Sequence, residues 1–168
     1  MKRMKNVAWS VSLAVMFSLL IFSGPVLSQD YPALQDVEDV KAVFDIRSGD
    51  PENVADHLFL VHETFQDKAV RSADSEPEFA VVFMDKSVML LSQNRESFSP
   101  QEREILQKAD QLMSAMAEDG VTLEVCLVAL DYYGVEADSV ADNIQRVKNG
   151  WISSIGYQAK GYSLVPVY

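Results

Sequence analysis

The chain has 168 residues, 48% of them hydrophobic, with 25 acidic against 14 basic side chains and a formal charge of −11. That apolar fraction is too high for a disordered chain, and that acidity repels phosphate backbones and anionic lipid heads, which disfavours nucleic-acid binding. A single cysteine, Cys126, rules out an intrachain disulfide.

Lys2, Arg3 and Lys5 form a basic start, and Val7 to Phe22 is an almost uncharged apolar run. Val26 and Ser28 then stand at the −3 and −1 positions of a secretory cleavage site, which predicts a signal peptide over 1–28, cut before Gln29. The run is nearly long enough to span a bilayer, so an uncleaved anchor is the alternative. Export takes the protein to the periplasm or outside the cell, with no membrane contact beyond the signal peptide. Cleavage removes three of the 14 basic residues and no acidic one, leaving 11 against 25, a formal −14. About 140 residues remain, enough for one domain with a real core.

Residues 29–39 are polar and read as a mobile leader to a domain over 40–168. Val40 to Ile46 is the first strand. Asp50 then caps a helix with Pro51 at its first position, and Val54, Leu58, Val61 and Phe65 form its apolar stripe. Arg71 to Glu78 is a charged loop. Phe79 to Met84 is a continuous apolar run, as in a strand covered on both faces, and Ser87 to Leu91 is a short helix or turn. Ser99-Pro-Gln-Glu102 is a capping box. Its helix carries Ile105, Ala109, Leu112 and Met116, and stops near Gly120.

In the third strand, Val121 to Leu127, Thr122, Glu124 and Cys126 share the more polar face. A helical turn closes at Gly134, so the thiol falls at a strand-to-helix junction, where open α/β sheets place ligands. Ala137 to Ala141 is another turn, Ile144 to Lys148 the fourth strand, Gly150 to Lys160 the last helix with Gly161 as its stop, and Tyr162 to Tyr168 the fifth strand. Pro166 implies that the strand ends there or lies at an edge. The alternation calls for an α/β sandwich with a mainly parallel five-stranded sheet. Trp151, Tyr157, Tyr162 and Tyr168 crowd near the end and point to self-association.

The order of these pieces, with Gly120 to Cys126, Gly134-Val135 and Gly161-Tyr162, resembles the DsrE/DsrF-like proteins, closest to their exported single-domain members, over nearly all of 40–168. The resemblance implies a three-layer α/β fold and homotrimers or homohexamers. In the sulfur-relay members the cysteine matching Cys126 carries a persulfide between partner proteins, which makes Cys126 the candidate catalytic residue and unidentified sulfur donors and acceptors the candidate partners. Two departures matter. Many relatives place an arginine before the glycine matching Gly134, where this chain has Tyr132-Tyr133. Several have a glycine after the second strand, where this chain has Asp85-Lys86. The first removes a cation that would favour a thiolate, and Asp131 opposes one. Export also separates the chain from cytoplasmic relay partners.

Parallel strands bring their following loops to one edge, so Asp45, Arg47, Ser48, Asp85 and Lys86 are the expected pocket lining around Cys126. Arg47 or Lys86 would supply the missing positive charge through space. Asp45 and Asp85, both taken to follow strands, would hold a cation or orient a ligand there, or serve as caps and turns. His57 and His62 are five apart, not the i, i+4 spacing of a metal pair, and no metal site is expected. The turn after the first strand has one glycine and two acids, poor for cradling the phosphate of a flavin mononucleotide, and there is no dinucleotide, Walker or nucleophile-elbow motif, so no cofactor is expected. Two functions stand: a sulfur or thiol carrier acting through Cys126, and a non-enzymatic oligomeric small-ligand or protein-binding module in which Cys126 is structural. Accessibility of the thiol separates them.

Overall fold

The computed structural model describes residues 31–168 apart from residue 74, so the signal peptide expected over 1–28 and the start of the leader lie outside the described residues. The elements are β1 (Lys41–Ile46), α1 (Pro51–Gln66), α2 (Lys68–Arg71), β2 (Glu78–Phe83), α3 (Pro100–Glu118), β3 (Thr122–Cys126), α4 (Leu127–Tyr133), β4 (Gln145–Val147), α5 (Gly150–Ala159) and β5 (Ser163–Val167). All five expected strands are present, and they pair in parallel in the order β4-β3-β2-β1-β5. Among the described residues no helix is long and apolar enough to cross a membrane.

The steps from β1 to β4 all move one way across the sheet, and the last crossover returns to the far side of β1. Right-handed crossovers therefore place α1, α3 and α4 on one face and α5 alone on the other. The side chains agree. Phe79 meets Phe65 of α1 edge to face at 5.3 Å. Glu124, in register with Val82 and so of opposite parity to Phe79, bonds to Ser153 and Tyr157 of α5. β1 and β2 are buried at every position after the first, without alternation, because both of their faces are covered.

α1 begins as its sequence dictates: the Asp50 side chain accepts from the Asn53 N–H at 2.8 Å, and Pro51 fills the first position, where no N–H is needed. Val54, Leu58, Val61 and Phe65 are buried. The capping box of Ser99 and Glu102 opens α3, and α1 and α3 pack on each other. The buried row of α3 is Leu106, Ala109, Met113 and Met116, not the expected stripe through Ile105 and Leu112, which are half-buried. Apolar residues cover a wide arc of this helix, and its docking against α1 and the sheet selects one side of that arc. The short apolar run after β2 is a 3-10 turn, Asp85–Leu91, on which α4 rests. β5 takes the edge, where Pro166 is tolerated.

Candidate functional site at the carboxyl edge of the sheet

Cys126 is the last residue of β3 and the N-cap position of α4, and its side chain makes no cap bond. It is 6% exposed. As the alternation predicts, it faces α5 together with Glu124. Its neighbour is Gly150, the first residue of α5. A Cβ at position 150 would stand 3.1 Å from Cys126 Cβ, 3.0 Å from Met84 Cε and 3.3 Å from Val82 Cγ1. Only glycine lets the helix start this close to the cysteine. Asn149 caps α5 by accepting from the Trp151 N–H at 3.0 Å, so the positive end of a ten-residue helix dipole lies beside Cys126.

One layer deeper, Glu124 is buried and carries two donors. The Tyr157 hydroxyl donates to Oε1 at 2.8 Å and the Ser153 hydroxyl donates to Oε2. Burial, and then the bond to Glu124, hold the Tyr157 phenol well above its ordinary range.

Of the five residues expected around the pocket, Arg47 and Ser48 follow β1 and Asp85 and Lys86 follow β2 at this edge, and Asp45, Arg47, Ser48 and Asp85 have local partners. Asp45 does not follow β1; it lies inside it, 5% exposed and pointing to the α5 face. Its Oδ2 accepts from Arg47 Nε at 3.0 Å and Nη2 at 2.6 Å, while its buried Oδ1 has no partner among the described residues. The bond to Asp45 raises the Arg47 pKa further. The Ser48 hydroxyl oxygen accepts from the Asp50 N–H at 3.3 Å. Lys86 packs so close to Gly49 that a Cβ there would stand 2.8 Å from Lys86 Cβ. Among the described residues Lys86 forms no ion pair, which leaves it, not Arg47, as the uncommitted cation of the edge.

Asp85 has φ +54°, the left-handed region that glycine prefers and aspartate tolerates. Its Oδ1 accepts from the Tyr133 hydroxyl. That bond, more than lost solvation, pushes the Tyr133 phenol up to about 12. Asp85 belongs to Asp85-Lys86 and Tyr133 to Tyr132-Tyr133, the two pairs noted in the sequence as departures from the resemblance, and the structure bonds one residue of each pair to the other. Their separation of 48 residues hides the pairing in the sequence. Met84 and Gly150, which wall Cys126, were also missed; each reads locally as an ordinary strand end or helix start. The two histidines lie apart: His57 Nδ1 is 2.7 Å from the Asn53 carbonyl oxygen, and His62 Nε2 is 2.7 Å from Asp119 Oδ2.

The profile of the DsrE/DsrF-like family matches residues 41–167. The chain belongs to the DsrE/DsrF-like family. Solved structures of similar fold include a protein of unknown function from Methanobacterium thermoautotrophicum, 20% identical, with a TM-score of 0.59 over 76% of this chain and 99% of that one. A second protein of unknown function, from Bacteroides thetaiotaomicron, is 15% identical, with a TM-score of 0.53 over 76% and 94%. The ychN protein of E. coli is 13% identical, with a TM-score of 0.52 over 76% and 98%. At these identities the likeness carries the fold alone. No curated protein matches the sequence. The DsrE-like match begins at the first residue of β1 and ends at the last residue of β5, so the sheet and its edge are the family's common frame.

Proposed function

We propose that this DsrE-like protein is exported and carries sulfane sulfur on Cys126. The observation behind the reading is the seat of the thiol, at the carboxyl end of β3 beside the N-terminus of α5, where open α/β sheets place their ligands. The step is an exchange without net oxidation. The Cys126 thiolate attacks the outer sulfur of a donor persulfide, the donor's S–S bond breaks, a new S–S bond forms on Cys126, and the donor thiolate leaves with the electron pair. The reverse step passes that sulfur to an acceptor thiolate. The basic start, the apolar run and the small residues before Gln29 support export.

Self-assembly is part of the reading. α5 turns Ser153 and Tyr157 to the sheet and leaves Trp151, Ile152 and Ile155 about two-thirds exposed. From Gly150 to the end the only charged side chain is Lys160, so in a strongly acidic protein a second copy meets no opposing acids here.

Burial of Cys126 favours a second reading, a binding module of the same fold with a packing cysteine. Mass spectrometry of the mature protein after exposure to inorganic polysulfide separates the two. The carrier gains the mass of one sulfur atom on Cys126, reversibly with a thiol reductant, and Cys126→Ala does not. A thiol that reacts with neither polysulfide nor an alkylating agent until the chain is unfolded overturns the carrier reading.

A further inference from the structure

We propose that Tyr133 and Asp85 are positioning residues for Cys126, their hydrogen bond tying α4 to the turn that carries Met84 and so setting how far the enclosure of the cysteine opens. α4 is seven residues long, starts from Cys126 at its N-cap position and has Tyr133 as its last residue. Its support is the turn from Asp85 to Leu91. That turn is fixed on its inner side: the buried Ser87 hydroxyl bonds at 2.8 Å to both the Ile46 and the Met84 carbonyl oxygens, and the Met84 N–H donates to the Ile46 carbonyl at 3.0 Å. Met84 Cε and Cys126 Cβ both crowd the start of α5. The turn therefore sets one wall of the site, α4 sets the thiol, and the Tyr133–Asp85 bond joins them on the solvent side.

Two features say that this bond has a purpose beyond packing. Asp85 is exposed and buries no core surface, and Tyr133, half-buried against the core, still turns its hydroxyl to that exposed carboxylate. Asp85 also holds a left-handed backbone that a glycine would adopt without strain. What the aspartate side chain adds at this position is a carboxylate that accepts from Tyr133. The Tyr133 phenol, pushed up to about 12, keeps its proton throughout the physiological range and so remains a donor to Asp85.

The inference rests on the proposed thiol chemistry for only one of its two readouts. Hydrogen exchange of the α4 amides reports the tie whether or not the thiol is reactive, and the rate of Cys126 alkylation in the folded protein reports its effect on the site. Tyr133→Phe and Asp85→Gly accelerate α4 exchange by about twofold to tenfold, the worth of one ordinary hydrogen bond, and change the alkylation rate in the same sense as each other. Asp85→Asn, whose side-chain carbonyl still accepts and which tolerates left-handed backbone, stays near the wild-type values. In Asp85→Gly the thermal midpoint holds or rises while α4 loosens, whereas a merely structural role lowers both together. If Tyr133→Phe leaves α4 exchange unchanged, or Asp85→Asn behaves as Asp85→Gly, the positioning pair is wrong. A wild type that resists alkylation while Tyr133→Phe still loosens α4 sinks the carrier reading and leaves the pair standing.

Discussion

Replacing Gly150 with alanine tests the closeness of α5 to the cysteine. In an open helical position alanine is more favourable than glycine by about 0.5–1 kcal/mol. Position 150 is not open. The new methyl would lie 3.0 Å from Met84 Cε, 3.1 Å from Cys126 Cβ and 3.3 Å from Val82 Cγ1. Met84 Cε is the tip of a flexible side chain and can swing aside. Cys126 Cβ is fixed to the backbone of β3 and Val82 Cγ1 to that of β2, so the remaining strain falls on the spacing between α5 and the sheet. Overpacking of this kind costs about 1–3 kcal/mol, which outweighs the helical gain and leaves a net loss of about 1 kcal/mol. For a domain of this size that lowers the thermal midpoint by roughly 3–5 °C. Gly156 supplies the control within the same helix, since a Cβ there meets nothing within 4 Å. Gly156→Ala raises the midpoint by the helical term alone. Calorimetry of the two variants beside the wild type is the assay. If Gly150→Ala matches or exceeds Gly156→Ala, the close approach that defines the site is not there.

Two further outcomes follow from the charge and surface pattern. The phenols of Tyr133 and Tyr162 are pushed up to about 12 and that of Tyr157 higher still, so the folded state holds protons that the unfolded chain releases near pH 10; stability is complete below about 10 and declines as pH rises toward 12. A urea midpoint that stays flat across that window refutes the assignment, and Tyr157→Phe should flatten part of the decline. Light scattering of the mature protein at tens of micromolar, a range that captures ordinary oligomer affinities, returns an oligomer, and Trp151→Glu with Ile155→Glu returns a monomer; a wild-type monomer counts against assembly through α5.

The scaffold was legible wherever a local signal decides a local structure. Asp50 before Pro51, and Ser99 three residues before Glu102, each fix a helix start through the next turn's N–H groups, and both caps form as expected. The unbroken apolar run at 79–84 marked a doubly covered strand, and the polar parity of Glu124 and Cys126 put both under α5. Decisions that depend on a partner distant in sequence were not legible. The apolar arc of α3 admits two docking rows, and only contact with α1 chooses Leu106 and Met113. Asp45 looked like a loop acid because an acid is seldom buried in a strand, yet Arg47, two residues on, supplies a charge that makes burial tolerable. The Tyr133–Asp85 bond joins residues whose separate oddities gave no hint of each other.

The candidate edge is quieter electrostatically than its composition suggests. Of the polar side chains expected to line it, Asp45 and Arg47 neutralise each other, Asp85 is occupied by the Tyr133 hydroxyl, and Ser48 is turned to the backbone of Asp50. A ligand arriving there finds no cluster of free acids to hold a cation and no free guanidinium to grip an anion. What remains beside Cys126 is a helix terminus and a thioether, with Lys86, which forms no ion pair among the described residues, farther along the edge. Hard, highly charged ligands need neutralising partners and gain little from such surroundings. A polarisable sulfur species, transferred to a thiol held at a helix start and guarded by methionine, suits them better. On the proposed carrier function, the chemistry would take place at the cysteine itself, with the neighbouring side chains fixing its geometry instead of gripping the substrate's charge.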